Sequence, residues 1–443
     1  MYYHCYSKLE KLNTVETVFV KAKAEQPIEN IGFRWAVFTI EVGYMRLLVY
    51  DWSFITKVDL YAALRRQGIT FKRFTPASSP RIDAQRKDFR KELDKVLKKE
   101  IFDAIFSINF VPDLSAAAHE RGMLYICWTY DSPAMGGYQE CHFYDTNRCF
   151  IFDSYEYEIY KKRKVSNIYY LPLAVDVEKM NRLQPKPMER LKYRSEISMV
   201  GQLYQSDMDQ IYPLFDEYSA GYIAAIINTQ LNIYGQDIIE DLINENVIKR
   251  LCNEQVTEAL LKNINHRFLH DVNELTESSF KMFLGKAVTN KERVLLLSLF
   301  ARYYPVHLYS TEKLPVDNVK SCGVVDYETE MPLVFKCSKI NLNITLKTIR
   351  NGIPQRILDI LACRGLALTN YQRDLDEYFE DGKNILIYHS AEEALDKVKY
   401  YLSHEGEAER IRQNGYKIVK DQFSYDRQLN KIWELSGVKD LLS

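Results

Sequence analysis

Asp359 stands among Ile357, Leu358, Ile360 and Leu361, a carboxylate in the middle of a short apolar helical pattern. Such a group is costly to bury unless it is paired or hydrogen-bonded. It therefore either contacts a ligand or pairs with Arg356, three residues earlier on the same helical face. Arg356 follows Pro354 in the expected first turn of that helix, where proline is tolerated because its missing N–H would have had no partner. A cation beside the partial positive charge of a helix N-terminus is locally unfavourable, and an arriving anion would relieve it. The free N–H groups of the turn from Gly352 to Arg356, with Lys347, Arg350 and Arg356 nearby, suit a phosphate or diphosphate.

Other candidates lie at predicted strand ends. Asp131 closes the apolar run CWTYDSP, where it either caps the turn with Ser132 and Pro133 or serves as an acceptor-binding group or general base. Asn109 and Tyr130 end neighbouring strands in the same way. Gly201 ends the strand EISMVG and offers a close backbone approach for phosphate. Two D-x-D spacings, Asp207/Asp209 at the opening of the helical insertion and Asp374/Asp376 in an acidic helix, lack the strand-end context of a metal-diphosphate site. His266 and His270, with Asp271, have zinc-compatible spacing but no third ligand in view, so a plain helix face is expected. The 32 tyrosines could stack on sugars, but tyrosine also fills cores.

The elements that must position these residues follow one rhythm. From Met45 onward, apolar runs of strand length alternate with amphipathic helices, as in parallel sheets covered on both faces. Residues 45–176 read as one doubly wound domain, 177–195 as a proline-bearing linker, and 196–424 as a second α/β domain interrupted by a helical insertion at 207–285. Residues 425–443 form a closing helix expected to pack back on the first domain. Residues 1–44 fall outside the pattern and are either a mis-assigned extension or an extra ordered element. In the segment KINLNITLKTIRNGIPQRILDILACRGLALT, Asn341, Asn343 and Thr345 alternate with apolar residues ahead of the turn, so one strand face can hydrogen-bond.

The chain has 443 residues, 47% of them hydrophobic, which is enough for two full cores. A formal net charge of −1 gives no reason to expect nucleic acid or an anionic membrane as partner. No apolar run reaches the ~18 residues of a spanning helix. The first residues lack a secretory signal. Eight cysteines without a CxxC read as reduced thiols in a cytoplasmic protein. Neither GxGxxG nor a P-loop is present, which favours group transfer in the cleft between the domains over hydride transfer.

The segment from Ile340 to Phe379, a later GYKIVKDQFSYDRQ, and FSINFVP, CWTYDSP and YYLPLAVD in the first half together resemble the spore-maturation (CgeB-like) glycosyltransferases. These are bacterial relatives of glycosyltransferase family 4. The first half resembles the N-terminal domain of unknown function often fused to them, and the resemblance runs from Met45 to about Leu435. It implies a GT-B fold, with two Rossmann-like domains facing across a cleft and a nucleotide-sugar donor held by the second. In the wider family two acids spaced E-x7-E hold the transferred sugar and the ribose. Asp359 matches the second, ribose-binding acid, and Asn351 occupies the place of the first, where an amide can bond hydroxyls but supplies no charge. The expectation is a metal-independent transferase with no cofactor. Its partners would be a nucleotide-diphosphate sugar and an acceptor such as a glycan, a cell-surface or spore-coat component, or a protein. A nucleotide-sugar epimerase and a non-catalytic binding or scaffold protein are the alternatives.

Overall fold

The computed structural model describes residues 19–24, 38–43, 45–133, 140–268 and 274–438. The chain opens with an antiparallel pair, β1 (Phe19–Ala24) and β2 (Phe38–Gly43). A six-stranded parallel sheet follows, made of β3 (Arg46–Tyr50), β4 (Thr70–Phe74), β5 (Ala104–Ile108), β6 (Leu124–Trp128), β7 (Asn147–Ile151) and β8 (Ile168–Tyr170). Its order is β4-β3-β5-β6-β7-β8. The second sheet contains β9 (Ser195–Val200), β10 (Val306–Tyr309), β11 (Val319–Ser321), β12 (Ser338–Asn343), β13 (Ala367–Asn370) and β14 (Leu386–Tyr388). Its order is β11-β10-β9-β12-β13-β14 and every neighbour is parallel. In such sheets ligands bind outside the carboxyl ends of the strands where the order reverses. Those switch points lie between β3 and β5 in the first sheet and between β9 and β12 in the second.

Both sheets are covered on their two faces, which explains runs such as AIFSI in β5, buried throughout. The alternating polar residues of β12 are buried too, because the strand is central. Ser198 Oγ donates to Asn341 Oδ1 (3.0 Å), Asn343 Nδ2 donates to Thr369 Oγ1 (2.9 Å), and the Thr345 amide donates to Asn370 Oδ1 (2.7 Å). These bonds lock β9, β12 and β13 in register and hold the loop after β12 in place.

The insertion has its own core around Ile223, Ile227, Ile248 and Leu260. The helix Glu277–Ala301 belongs to two cores at once. Phe280, Leu284 and Val288 face the insertion, whereas Leu296, Leu297 and Phe300 face the second sheet. The helix therefore runs past residue 285 directly into the edge of β10. The last helix, Tyr425–Leu435, packs on the first domain through Tyr425, Leu429, Ile432 and Trp433, beside Leu47 and Leu60. Two local details differ from the sequence expectation. Pro354 sits one residue ahead of the helix Gln355–Ala362 rather than inside its first turn. Asp374 lies in a short 3-10 turn, Arg373–Glu377, rather than in a regular acidic helix, and it is buried, as is Asp207.

Candidate functional site

Asp359 is buried in the helix Gln355–Ala362, and its Oδ1 accepts from Tyr327 Oη (3.1 Å) and Gln355 Nε2 (3.0 Å). Burial raises its carboxyl above the ordinary carboxylate range, against opposing pulls from Arg356 and the two hydrogen-bond donors. It makes no ion pair with Arg356 among the described residues. Arg356 instead lies against the Met331 sulfur and over the Phe335 ring, 5.8 Å from the centroid. The half-buried guanidinium packs on a thioether and an aromatic ring, within electrostatic range of Asp359 but in no ion pair among the described residues.

The residue that the sequence reading missed is Arg293. It projects from the helix Glu277–Ala301 to the switch point of the second sheet. Its guanidinium donates to the carbonyl of Gln202, just past β9, and to that of Ile344, just past β12 (2.6 Å), while buried Nε makes no hydrogen bond. Tyr204 lies beneath it at 5.2 Å. Burial lowers its pKa, and Arg356 is close enough to lower it further. No carboxylate ion pair is made by Arg293 among the described residues. Two guanidiniums thus lie near each other where the strand order reverses, next to a buried acid. Gly201 lies in the same place, and a Cβ there would sit 3.6 Å from Arg293 Nη1. The signal in the sequence was a charge, Arg293, on the same helical stripe as Leu296 and Leu297.

The turn after β12 is engaged by the first domain. Asp153, fully buried after β7, accepts from the backbone amides of Arg350 (2.8 Å) and Asn351 (3.2 Å), from Tyr155 N (3.0 Å) and from Ser132 Oγ (2.9 Å). The two amides that this carboxylate satisfies lie immediately ahead of the Gly352–Arg356 turn expected to take a phosphate. Asn351 Nδ2 donates to Ser154 Oγ (2.9 Å), and Asp374 accepts from the Ser154 amide (3.1 Å) and hydroxyl. Gly352 allows this approach, since a Cβ there would lie 2.9 Å from the Phe152 ring. Lys347 is paired with Glu292 (3.0 Å) rather than free.

On the first domain's side, Asn109 adopts a left-handed conformation (φ 64°), which asparagine tolerates well. Its Oδ1 accepts from the amides of Tyr130 (2.7 Å) and Asp131 (3.2 Å), and its Nδ2 donates to Asp131 Oδ2 (2.7 Å). Asn109 thus fixes the orientation of Asp131. Asp131 keeps solvent access, yet the surrounding protein raises its carboxyl above the ordinary range, against Arg81 and Asn109. Its neighbour Ser132 reaches the Thr348 carbonyl of the second domain (3.4 Å). Tyr130 bonds Tyr425 (3.1 Å) and lies within electrostatic range of Asp359. Asp131, Tyr130 and Asn109 therefore lie where the first domain meets the second, with Tyr130 towards Asp359 and Ser132 on the loop ahead of Gly352. Lys347 and Asn351 line a separate cavity on the insertion side of the turn.

The two D-x-D pairs are held by protein partners. Asn263 donates to Asp207, Gln205 to Asp209, Ser154 to Asp374 and Tyr371 to Asp376. His270 and Asp271, and the side chain of His266, lie outside the described residues. Among the described residues no helix is long and apolar enough to cross a membrane.

Residues 286–434 match a protein family described as glycosyl transferase-like. No curated protein matches the sequence. Among solved structures, sucrose-phosphate synthase from Thermosynechococcus elongatus is similar at 9% identity with a TM-score of 0.53, the match covering 90% of this chain and 100% of that one. A glycosyltransferase from Rickettsia africae is similar at 10% identity with a TM-score of 0.50, over 90% of this chain and 100% of the other. At these identities the likeness is one of fold, and the fold is GT-B.

Proposed function

We propose that this protein is a glycosyltransferase that moves a sugar from a nucleotide-diphosphate donor to an acceptor hydroxyl without a metal. The observation that carries this reading is the pair Arg293 and Arg356, two neighbouring cations at the switch point of the second sheet that make no carboxylate ion pair among the described residues. A diphosphate is the ligand such a pair suits. Asp359, with Tyr327 and Gln355 around it, would hold the ribose hydroxyls. Lys347 is committed to Glu292, so Arg293 takes the diphosphate role for which Lys347 was a candidate.

In the reaction, the acceptor oxygen bonds to the anomeric carbon, the bond from that carbon to the diphosphate breaks, and the acceptor proton goes to Asp131. The raised carboxyl of Asp131 makes it the better base. The guanidiniums stabilise the departing diphosphate, as preorganised cations do in a dry site. The family match over 286–434 supports the transferase class, and the motifs quoted above support a CgeB-like membership with a cell-surface or spore-coat acceptor.

One observation favours a second reading, in which the protein binds nucleotide sugars without turnover: Asp153 of the first domain occupies the Arg350 and Asn351 amides just ahead of the turn. Release of nucleoside diphosphate from a panel of UDP-, GDP-, ADP- and dTDP-sugars, with and without EDTA, separates the two. EDTA-insensitive release from one donor supports the transferase. Tight binding with no release from any donor supports the second reading.

A further inference from the structure

Between the helical insertion and the turn after β12 lies a cavity of about 280 Å³. Three parts of the chain wall it: Tyr155 from the first domain, Tyr234 and Asp241 from the insertion, and Arg350, Asn351 and Arg373 from the second domain. These walls are set before any ligand arrives. In the insertion, buried Gln230 donates to the carbonyls of Ile233 (3.1 Å) and Gln236 (3.0 Å) and accepts from Ile238 N (2.8 Å), so the loop 233–238 is stapled. Gly235, at φ +75°, presses on Tyr371, where a Cβ would come within 2.9 Å of the ring. Opposite, Gln372 Nε2 holds the Ile349 carbonyl (3.0 Å). Arg350 closes one side by ion pairs to Asp237 and to Glu240 (2.9 Å), both on the insertion.

The charge pattern selects the ligand. Lys347 and Arg350 are already matched by Glu292, Asp237 and Glu240, so a strong anion such as a diphosphate would have to displace existing pairs. What else lines it is Tyr155 and Tyr234, whose rings carry Arg350 at 5.4 Å and Lys347 at 4.5 Å on one face, the Asn351 side chain and the exposed Asp241 and Arg373. Rings meet the C–H face of a sugar and the polar ends meet its hydroxyls. The volume lies near the lower end of ligand pockets, about 300–1,000 Å³, and fits one sugar ring rather than a nucleotide. The turn also has a second side. Thr348, between two lining residues, presents its carbonyl to Ser132, the neighbour of Asp131.

We infer that this cavity is an acceptor subsite: it holds one neutral sugar residue of a glycan acceptor, and the helical insertion exists to wall it. A glycan lying across the turn would then place a neighbouring residue at Asp131. This inference rests on the transferase reading above and adds the acceptor's chemical class, a neutral carbohydrate.

The test uses the full-length protein and saturation-transfer NMR with the methyl glycosides of glucose, galactose, mannose and N-acetylglucosamine, with and without a nucleoside diphosphate. At least one glycoside is expected to bind. Tyr234→Ala should weaken it about tenfold or more, and the exposed Arg373→Ala should weaken it severalfold with unfolding temperature and nucleoside diphosphate affinity unchanged. Binding by none of the four, or equal binding by both variants and wild type, overturns the subsite. Displacement of the glycoside by a nucleotide sugar but not by the nucleoside diphosphate also overturns it, because the cavity then takes the transferred sugar. The transferase reading fails separately, on absence of nucleoside diphosphate binding. In that event glycoside binding that depends on Tyr234 still supports a sugar site, and its absence removes both.

Discussion

Replacing Arg293 with methionine keeps length and apolar volume but removes the guanidinium that bridges the Gln202 and Ile344 carbonyls. Two opposing effects act on the ligand-free protein. Losing the cation leaves two carbonyls without a donor, at about 1–3 kcal/mol each. It also removes a buried charge whose desolvation penalty, several kcal/mol, is only partly offset by Glu292 nearby. These nearly cancel, so stability to denaturant should move by no more than about 2 kcal/mol in either direction. Binding has no such compensation. A guanidinium making two charge-assisted hydrogen bonds to a diphosphate contributes about 3–4 kcal/mol, so nucleoside diphosphate affinity should fall on the order of a hundredfold to a thousandfold. Isothermal titration calorimetry and urea unfolding on the same preparations measure the two effects. Arg293→Lys, a point charge that cannot fork across both carbonyls, should fall in between. Unchanged affinity together with a large loss of stability would refute the reasoning and make Arg293 a bracket for the loops.

Three more substitutions probe other parts of the cleft. Asp131→Asn should lower the transfer rate roughly 10²- to 10⁴-fold while leaving nucleoside diphosphate affinity unchanged; an equal loss of both, measured by calorimetry and steady-state kinetics, would make Asp131 a binding group. Gly352→Ala would press a methyl group within 2.9 Å of the Phe152 ring and 3.1 Å of Asp153 Cα. It should cost about 1–3 kcal/mol in urea unfolding, and no cost would mean that the domains are not packed this closely. Asp374 is pushed up to about 6 by burial at the Ser154 contact. Its folded pKa exceeds its unfolded one, so its contribution to stability is full below about pH 4 and fades as pH rises through 6. Asp374→Asn should therefore flatten the fall in unfolding free energy between pH 4 and 6 by up to about 3 kcal/mol, and an unaltered profile would assign that titration elsewhere.

The fold was legible because it rests on short-range patterns. Apolar strands alternating with amphipathic helices specify two doubly wound sheets, and a proline and glycine before a helix bearing Asp359 mark a ligand-facing turn. What the sequence could not show is which distant partners claim the polar groups. Arg293 meets carbonyls 91 and 51 residues away. Asp153 reaches the Arg350 amide across 197 residues, and nothing near Phe152 hints that its neighbour imitates an anion at the turn. Lys347 was readable as a phosphate ligand only while Glu292, on a helix assigned to another layer, was out of view. The Arg356–Asp359 pairing, plausible from spacing alone, is replaced by hydrogen bonds to Asp359 from Tyr327 and Gln355, while Arg356 lies against Met331. The cavity walled by the insertion depends on three separate segments and has no local signature.

The central claim is that the cleft between the domains binds a nucleotide-diphosphate sugar through Asp359 and the two guanidiniums. Its most direct test is calorimetric titration of UDP, GDP, ADP and dTDP into wild-type protein and Asp359→Ala, both in EDTA. One diphosphate should bind the wild type with at least micromolar affinity, and the variant should lose roughly tenfold to a hundredfold while remaining as stable, since a buried carboxylate without a paired cation is removed. Binding of none of the four by folded wild-type protein, or equal binding by the variant, would contradict it.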